Sequence, residues 1–311
     1  MHATDNSAHD AIAPGSLRAW AVAVRPRTLW IAAIPVVVAT SLAWMQAADV
    51  RLWVTALAFA GSILMQVISN LQNDVGYTER HLETGGRVGL PRATACGWLS
   101  PAEVRRAIAW CIAVGGVIAV PLVAHAGLLV VAIGSVSVLG ALAYMGGPRP
   151  IAYTPFGELV VFVFFGLVAV LGTHFLHAGA AGPVQWLAAG AVGAHAAAVL
   201  AVNNHRDHEH DARTGRRTFA AMFGPRASAL LFGTLVWTPF GLAIAVAALA
   251  GPALALPIVL APVAIRLHRD FLATTSSAAF TPILFRTVML ELGFGMALAV
   301  GAILQRAAMP S

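Results

Sequence analysis

Two short polar stretches interrupt an otherwise apolar chain of 311 residues, and each follows a hydrophobic segment. Asn70 and Asp74 belong to the first stretch. Asn203, Asp207 and Asp211 belong to the second. A spacing of four residues places side chains on one face of a helix, so we expect each stretch to present its oxygens in one direction. Because acidic side chains near a membrane are costly, the repeated acidic pairs predict a compensating cation.

The chemistry of these positions favours magnesium and a polyanion. They offer oxygen ligands only, without cysteine or zinc-type histidine spacing, and such hard ligands suit Mg²⁺ shared with phosphate oxygens. Arginines flank both stretches, and they are Arg87, Arg92, Arg206, Arg213, Arg216 and Arg217. Metal and guanidinium together fit a diphosphate attached to a lipid, whose departure they would stabilise.

The composition predicts an all-α, polytopic membrane protein, since 59% of the residues are hydrophobic and only 10% are charged. Nine apolar segments are present, most of them long enough to cross a hydrocarbon core of ~30 Å. They are 28–48, 53–72, 105–124, 127–146, 156–176, 185–204, 228–249, 252–267 and 288–305. We expect a polar cytoplasmic tail over 1–17 and a single transmembrane domain over 18–311.

The distribution of arginine predicts the orientation in the membrane. With the N-terminus in the cytoplasm, all but two of the 19 basic residues, Arg51 and Arg306, fall on the cytoplasmic side. Both polar stretches then end even-numbered segments and open onto the cytoplasmic face of the cell inner membrane. The arginines are not gathered on one basic face with aromatic residues, so no nucleic-acid partner is expected.

Further candidates lie near the middle of the chain. Glu158 is a candidate for positioning substrate, and a carboxylate at a helix N-terminus is the alternative. Glu291 is expected to pair with Arg286 or another arginine. Aromatic rings that could shield an allylic cation, or simply pack against neighbours, are Tyr144, Tyr153, Phe156, Phe162, Phe164 and Phe165.

The motifs as a set resemble the UbiA superfamily of membrane prenyltransferases, and within it the 1,4-dihydroxy-2-naphthoate polyprenyltransferases of menaquinone biosynthesis. The resemblance extends from about Trp20 to Gln305. The stretches that carry it are Arg25-Pro-Arg-Thr-Leu29, Gln66-x-x-x-Asn70-x-x-Asn73-Asp74, Tyr144-Met-Gly-Gly-Pro148-Arg-Pro150, Gly157-Glu158 and Asn203-Asn204-x-Arg206-Asp207-x-x-x-Asp211-x-x-x-Gly215-Arg216.

The resemblance implies nine helices around a central cavity, with the lipid bilayer as surroundings. It also implies Mg²⁺-dependent transfer of a polyprenyl group from its diphosphate to 1,4-dihydroxy-2-naphthoate, with loss of CO₂, giving demethylmenaquinone. The catalytic residues it implies are Asp74, Asp207 and Asp211. The metal ligands are Asn70, Asp74, Glu83, Asn203, Asp207 and Asp211. Substrate binding falls to Asn70, Arg87, Tyr144, Glu158, Arg206 and Arg216.

One position departs from the family pattern. Members usually carry a second aspartate three residues after the first, where this chain has Tyr77. The change is compatible with a weakened metal, with transfer of the role to Glu79 or Glu83, or with a divergent relative. The alternatives are therefore a transferase with another aromatic acceptor, an inactive relative, and a lipid carrier or transporter.

Overall fold

The computed structural model describes residues 12–46, 49–83 and 89–309, and these form helices and connecting turns without a strand. Arg87 and the first eleven residues of the predicted polar tail lie outside the described residues. The helices are α1 (Leu17–Val24), α2 (Trp30–Met45), α3 (Leu52–Glu79), α4 (Pro101–Ala126), α5 (Leu129–Met145), α6 (Gly157–Ala178), α7 (Pro183–Arg213), α8 (Phe219–Ala250), α9 (Pro252–Ala273) and α10 (Phe280–Ala308). Helices suit a bilayer because they satisfy their own backbone hydrogen bonds.

The nine predicted apolar segments correspond in order to α2 through α10. Seven helices in the described chain are each long and apolar enough to cross a membrane, and α1 and α2 together add an eighth, bent by 42°. α5, with 17 residues, is a shorter apolar helix. The prediction of an all-α membrane protein with about nine spans is thereby confirmed.

The helices that carry the polar stretches extend beyond the segments predicted for them. α3 runs to Glu79 and α7 to Arg213, whereas the apolar segments end at 72 and 204. Both polar stretches are therefore helical, on the last turns of α3 and α7. Hydropathy marks the apolar part of a helix, but a helix continues wherever its polar side chains find partners.

α7 is the central helix of the bundle. In the most apolar stretch of α7, 78% of the residues are buried, compared with 11% in that of α4. α7 packs mainly against α6, α8 and α10. Alanines and glycines dominate its inner turns, so neighbouring backbones approach it closely. The outer helix α4 leaves most of its apolar surface for lipid. The core thus lies along α7, and its last turns are held on several sides.

α6 contains a π-helical segment, Phe162–Leu171, whose wider turn shifts the side chains that follow it. Gly166 lies in this segment against Gly193 of α7. A Cβ atom on Gly166 would be 2.7 Å from the Gly193 Cα and 2.5 Å from the Ala189 carbonyl oxygen, closer than real Cβ atoms approach. The sequence therefore needs glycine at this crossing, which holds α6 against the middle of α7.

Candidate active site

A cavity of about 400 Å³ lies among α2 to α7 and the start of α10, and one of its ends is polar. Its apolar wall includes Leu57, Met65, Ile118, Ile133 and Val168. Its polar wall includes four arginines, and they are Arg25, Arg92, Arg206 and Arg216. Among the described lining residues, amides and hydroxyls accompany these arginines, and no aspartate or glutamate does. The surface that a ligand would meet is therefore cationic at one end and mainly apolar along the rest of the cavity.

Asn70, on α3, holds the turn that carries Arg25. Its Nδ2 donates to the Val24 carbonyl at 2.7 Å and to the Thr28 Oγ1 at 3.3 Å, while its Oδ1 accepts from Gln66 Nε2 at 3.2 Å. Arg25 adopts a left-handed backbone conformation with φ 56°, which is unusual for a residue with a side chain. Asn70 thus lines the cavity while its amide group is hydrogen-bonded to this turn and to Gln66.

Asp74, one turn further along α3, is completely buried and holds the loop that carries Arg92. Its carboxylate accepts hydrogen bonds from the Ala93 N–H at 2.9 Å, the Thr94 N–H at 2.8 Å and the Thr94 hydroxyl at 2.7 Å. Asn70 and Asp74 lie one turn apart on one face of α3, as their spacing predicts, but they hold different loops. Spacing of four brings residues to neighbouring positions on a helix but does not say which neighbour each one meets.

The carboxylates of α7 are each paired with an arginine of the cavity wall. Arg206 donates to both oxygens of Asp207, from Nε at 2.7 Å and from Nη2 at 2.9 Å, and it also donates to Asn203 Oδ1 at 2.7 Å. Arg216 Nη1 donates to Asp211 Oδ1 at 2.6 Å. Both aspartates are buried, and neither reaches the cavity wall.

Tyr77 connects the ends of α3 and α7. Its hydroxyl accepts a hydrogen bond from Arg216 Nη1 at 2.6 Å, and the guanidinium carbon of Arg92 lies 4.0 Å from the centre of its ring. Burial alone lowers the pKa of Arg216, but the Tyr77 hydroxyl and the Asp211 carboxylate raise it more, so the pKa lies above its ordinary value. The guanidinium therefore stays charged in this buried place.

The structure brings together only part of the predicted site at the cavity wall. The predicted residues that line it are Asn70, Tyr144, Asn203, Arg206 and Arg216, and those that lie behind it are Asp74, Glu83, Glu158, Asp207 and Asp211. The lining residues that sequence reasoning did not assign to the site include Arg25, Asn73, Tyr77 and Asn204. Asn73 and Tyr77 also have a spacing of four, which was the signal available for them.

Two acidic residues near Tyr77 are committed elsewhere. Glu79 pairs with Arg105 at 2.5 Å on an exposed surface, and Glu83 lies 3.4 Å from Arg92 Nε. Neither carboxylate lines the cavity, which is also true of Asp74, Asp207 and Asp211, and Glu83 contacts an arginine that does line it.

The prediction for Glu291 is wrong. Arg286 pairs with Asp270 at 2.6 Å, and Glu291 is buried with no hydrogen-bond partner among the described residues.

A second polar patch of the cavity lies beside α6. Glu158 Oε1 accepts from Asn204 Nδ2 at 2.9 Å, and Asn204 itself lines the cavity together with Tyr144. This bond fixes the Asn204 amide so that its oxygen, which has no other partner in the described chain, remains an acceptor. Of the aromatic candidates, Tyr144, Phe164 and Phe165 line the cavity.

The metal ligands available in the described chain are unevenly distributed. No group of three or more His, Cys, Asp or Glu side chains lies close enough to hold an ion by itself. Asn203, Asp207 and Asp211 lie one turn apart on α7, and two carboxylates completed by substrate phosphates and water are a usual magnesium shell. The carboxylate oxygens are hydrogen-bonded on both helices: Asp74 accepts from Ala93 and Thr94, Asp207 from Arg206, and Asp211 from Arg216 and Thr218.

The fold and site define a class: a bundle of apolar, membrane-spanning helices around an apolar cavity that is lined by arginines at one end. The chain belongs to the UbiA prenyltransferase family, whose model matches residues 32–304. It is 33% identical over 285 residues to the 1,4-dihydroxy-2-naphthoate octaprenyltransferase of Mycobacterium tuberculosis, covering 91% of this chain and 96% of that one. The Escherichia coli protein of the same name is 34% identical over 239 residues, covering 70% and 74%.

Solved structures share the fold at low sequence identity. The apo structure of a UbiA homologue from Aeropyrum pernix matches 88% of this chain and 97% of its own, with a TM-score of 0.66 and 18% identity. A UbiA homologue from Archaeoglobus fulgidus bound to GPP and Mg²⁺ matches 91% and 99%, with a TM-score of 0.63 and 16% identity. At these identities the likeness establishes the architecture.

Proposed function

We propose that this protein transfers a polyprenyl group from polyprenyl diphosphate to 1,4-dihydroxy-2-naphthoate, with loss of CO₂, giving demethylmenaquinone. The observation that carries the proposal is the cavity, because its arginine end and its apolar length match an anionic head and a long hydrocarbon tail. The relatives that cover nearly the whole chain are named for this reaction. The diphosphate and the prenyl chain of the donor would occupy one continuous cavity, with the reacting carbon between its arginine-lined end and its apolar part.

On the donor side, the chain's own residues would hold the leaving group. Arg206 and Arg216 face the cavity from α7 and from the turn after it, and each is oriented by a carboxylate behind it. They would bind the diphosphate through charge-assisted hydrogen bonds as the carbon–oxygen bond breaks and both electrons leave with the oxygen. Mg²⁺, when held by Asn203, Asp207 and Asp211, would neutralise further charge on that leaving group.

On the acceptor side, Asn204 and Tyr144 face the cavity and Glu158 orients Asn204. These groups would orient the hydroxyls of the naphthoate ring, while Phe164 and Phe165 line the cavity along π-helical α6. The ring carbon that carries the carboxylate forms the new carbon–carbon bond. The carboxylate then leaves as CO₂, and its electron pair restores the aromatic ring.

We also propose the cell inner membrane as location, with the polar end of the cavity facing the cytoplasm. The ends of α3 and α7 and the loops after them carry most of the arginines near the site, and positive residues favour the cytoplasmic side. The water-soluble naphthoate and the departing diphosphate would then exchange with the cytoplasm.

The test is product analysis with membranes that contain the protein. They are incubated with a polyprenyl diphosphate, 1,4-dihydroxy-2-naphthoate and Mg²⁺, with chelator or without acceptor as controls, and the lipid extract is analysed by mass spectrometry. We expect a product with the mass of demethylmenaquinone that requires the acceptor. A product only with other phenolic acids would establish a different acceptor, and no product with any acceptor would leave a carrier or inactive relative.

A further inference from the structure

The ring of Phe164 on α6 points its tip at Gly140 on α5, and both residues line the cavity. A Cβ atom on Gly140 would be 2.6 Å from Cζ of this ring and 2.9 Å from its Cε2, closer than real Cβ atoms approach. Only a residue without a side chain leaves room for the ring in this position. We call this notch in α5, which holds the tip of the Phe164 ring, the Gly140 recess.

The Gly140 recess lies between the polar end of the cavity and the far part of its apolar wall. Tyr144, which belongs to the polar patch beside α6, is one turn further along α5, or about 6 Å at 1.5 Å per residue. In the other direction the cavity continues along α5 to Gly134 and Ile133, about 10 Å beyond the recess. A ligand that reaches from the polar end to this far part therefore passes the Phe164 ring.

We propose that Gly140 determines how long a prenyl chain the cavity accepts, because the recess keeps the Phe164 ring out of the path of the chain. The inference rests on the proposed prenyl diphosphate donor and adds to it the residue pair that sets donor specificity. It concerns the width of the passage and not the bonds that change in the reaction.

The first step of the argument is that α6 cannot retreat from α5 to make room for a side chain at position 140. Gly166, two residues after Phe164, packs against the backbone of Gly193 on α7. Residues two apart on a helix point to nearly opposite sides, so α6 is held between α5 and α7. Since the crossing with α7 has no room even for a methyl group, movement of α6 away from α5 would drive its backbone into α7.

The second step is that the ring itself can move. The three atoms nearest to a Cβ on Gly140 all belong to the Phe164 ring, and none of them is a backbone atom. A side chain relieves such a collision by turning to another rotamer. The free volume beside this ring is the cavity that it lines. With alanine at position 140, the ring would therefore swing into the cavity and narrow the passage.

The third step is that a narrowed passage separates donors by length. The arginine-lined end would hold the diphosphate of every donor, so the number of isoprene units decides how far the chain reaches. The single unit of dimethylallyl diphosphate would end before the recess, whereas the four units of geranylgeranyl diphosphate would extend past it. Because packing into occupied space is unfavourable, only the longer donor should lose affinity.

The experiment measures donor binding without turnover. Purified full-length protein in nanodiscs is titrated, in the presence of Mg²⁺, with the thiolodiphosphate analogues of dimethylallyl and geranylgeranyl diphosphate, and affinity is measured by calorimetry. For Gly140→Ala we expect the geranylgeranyl analogue to bind at least roughly tenfold more weakly, while the dimethylallyl analogue keeps its affinity. Equal losses for both analogues, or no loss for the longer one, would overturn the inference.

A compensating substitution and a matched control separate the passage from general damage to the fold. Leucine lacks the ring-tip atoms that the new methyl group would meet, so adding Phe164→Leu to Gly140→Ala should restore binding of the longer analogue. Without that restoration, the alanine acts elsewhere and the inference fails. Gly116→Ala on α4 should bind both analogues like the wild type, because Gly116 does not line the cavity and a Cβ there meets nothing within 4 Å.

A second variant keeps the test decisive if Gly140→Ala does not fold. Phe164→Trp places a larger ring at the unchanged recess, so the excess volume must enter the cavity. We expect the same selective loss of the longer analogue, and unchanged affinity for it would contradict the role given to the recess.

The outcomes distinguish this inference from the proposed function. A selective loss in a protein that makes no demethylmenaquinone would refute the proposed reaction and leave the role of Gly140 in place. An unchanged donor preference in a protein that does make it would refute the role of Gly140 and leave the reaction in place. A wild-type protein that binds neither analogue would refute both.

Discussion

At the scale of single residues, pairing decides what each charged group can do. Both carboxylate oxygens of Asp207 accept hydrogen bonds from Arg206, and both side chains are nearly inaccessible to solvent. Breaking a buried pair by removing one partner strands the other charge, which costs about 3–5 kcal/mol. Asp207 is therefore needed to keep Arg206 in place, besides the ion-binding role proposed for it above.

Replacement of Asp207 by alanine should abolish prenyl transfer while the protein still inserts into the membrane. The substitution removes an ion ligand and frees Arg206, so we expect the rate to fall at least a hundredfold. Transfer is measured by product mass and insertion by the amount of protein in the membrane fraction. The matched control is Asp270→Asn, which weakens an aspartate–arginine pair of 2.6 Å that is about 40–45% exposed and outside the cavity. Wild-type transfer by Asp207→Ala would refute the assignment.

Replacement of Asp74 by asparagine should act on stability. An amide in place of the carboxylate presents an N–H₂ group to donors from Ala93 and Thr94, which leaves at least one of them without an acceptor. We expect the free energy of unfolding to fall by about 1–3 kcal/mol, read as a lower thermal midpoint in detergent. An unchanged midpoint would contradict the role of Asp74 in holding this loop.

Much of the site can be read from the sequence, and what cannot be read depends on tertiary contacts. The residue types around 70–77 and 203–216 predict an anion site, since few other functions place so many polar groups at apolar helix ends. The direction of Asp74 could not be predicted, because its partners Ala93 and Thr94 come from a loop without a distinctive pattern. Arg25 was equally hidden, since its role depends on a left-handed turn bonded to Asn70.

At the scale of helices, hydropathy identifies segments reliably and their ends poorly. α7 shows why: its apolar part stops near 204, but its last turns continue because Asp207 and Asp211 find arginine partners. The π-helical segment of α6 was also absent from the prediction. This segment contains the close crossing of Gly166 with Gly193, which neither apolar segment reveals by itself.

Replacement of Gly166 by alanine should destabilise the α6–α7 crossing. The new methyl group would meet the Gly193 Cα at 2.7 Å, so the backbones must separate at a cost of about 1–3 kcal/mol. Gly241→Ala on α8 is the control, because a Cβ there meets nothing within 4 Å and alanine is the better helix former. Thermal unfolding should show a lower midpoint for Gly166→Ala alone, and equal midpoints for both variants would contradict the crossing.

At the scale of the whole molecule, the polar ends of α3 and α7 meet at one face of the bundle. His210 on α7 is in hydrogen-bond contact with the Leu82 carbonyl after α3 at 2.8 Å, and Arg216 bonds Tyr77. Because these contacts tie the two ends together, both must face the same side of the membrane. Which side that is can be measured at an exposed cysteine, Cys96, in the loop between α3 and α4.

Cys96 should react with a membrane-impermeant maleimide in inside-out vesicles and not in sealed right-side-out cells. Burial, followed by the charges of Glu83 and Asp74, raises the pKa of this thiol above its ordinary value. Since the thiolate is the reactive form, labelling should be slower at pH 7 than for a free thiol and should keep rising into more alkaline solution. Cys96→Ser removes the signal, and labelling only from the outside would reverse the proposed orientation.

The placement of all the cavity's charge at one end bears on how the enzyme would turn over. A prenyl donor would be anchored by its head, while its tail would meet mainly apolar side chains. Once the diphosphate has left, the prenylated product no longer carries the group that the arginines would bind. Chemistry itself would therefore lower the residence time of the lipid, and the inorganic and lipidic products would separate towards water and bilayer without competing for a single exit.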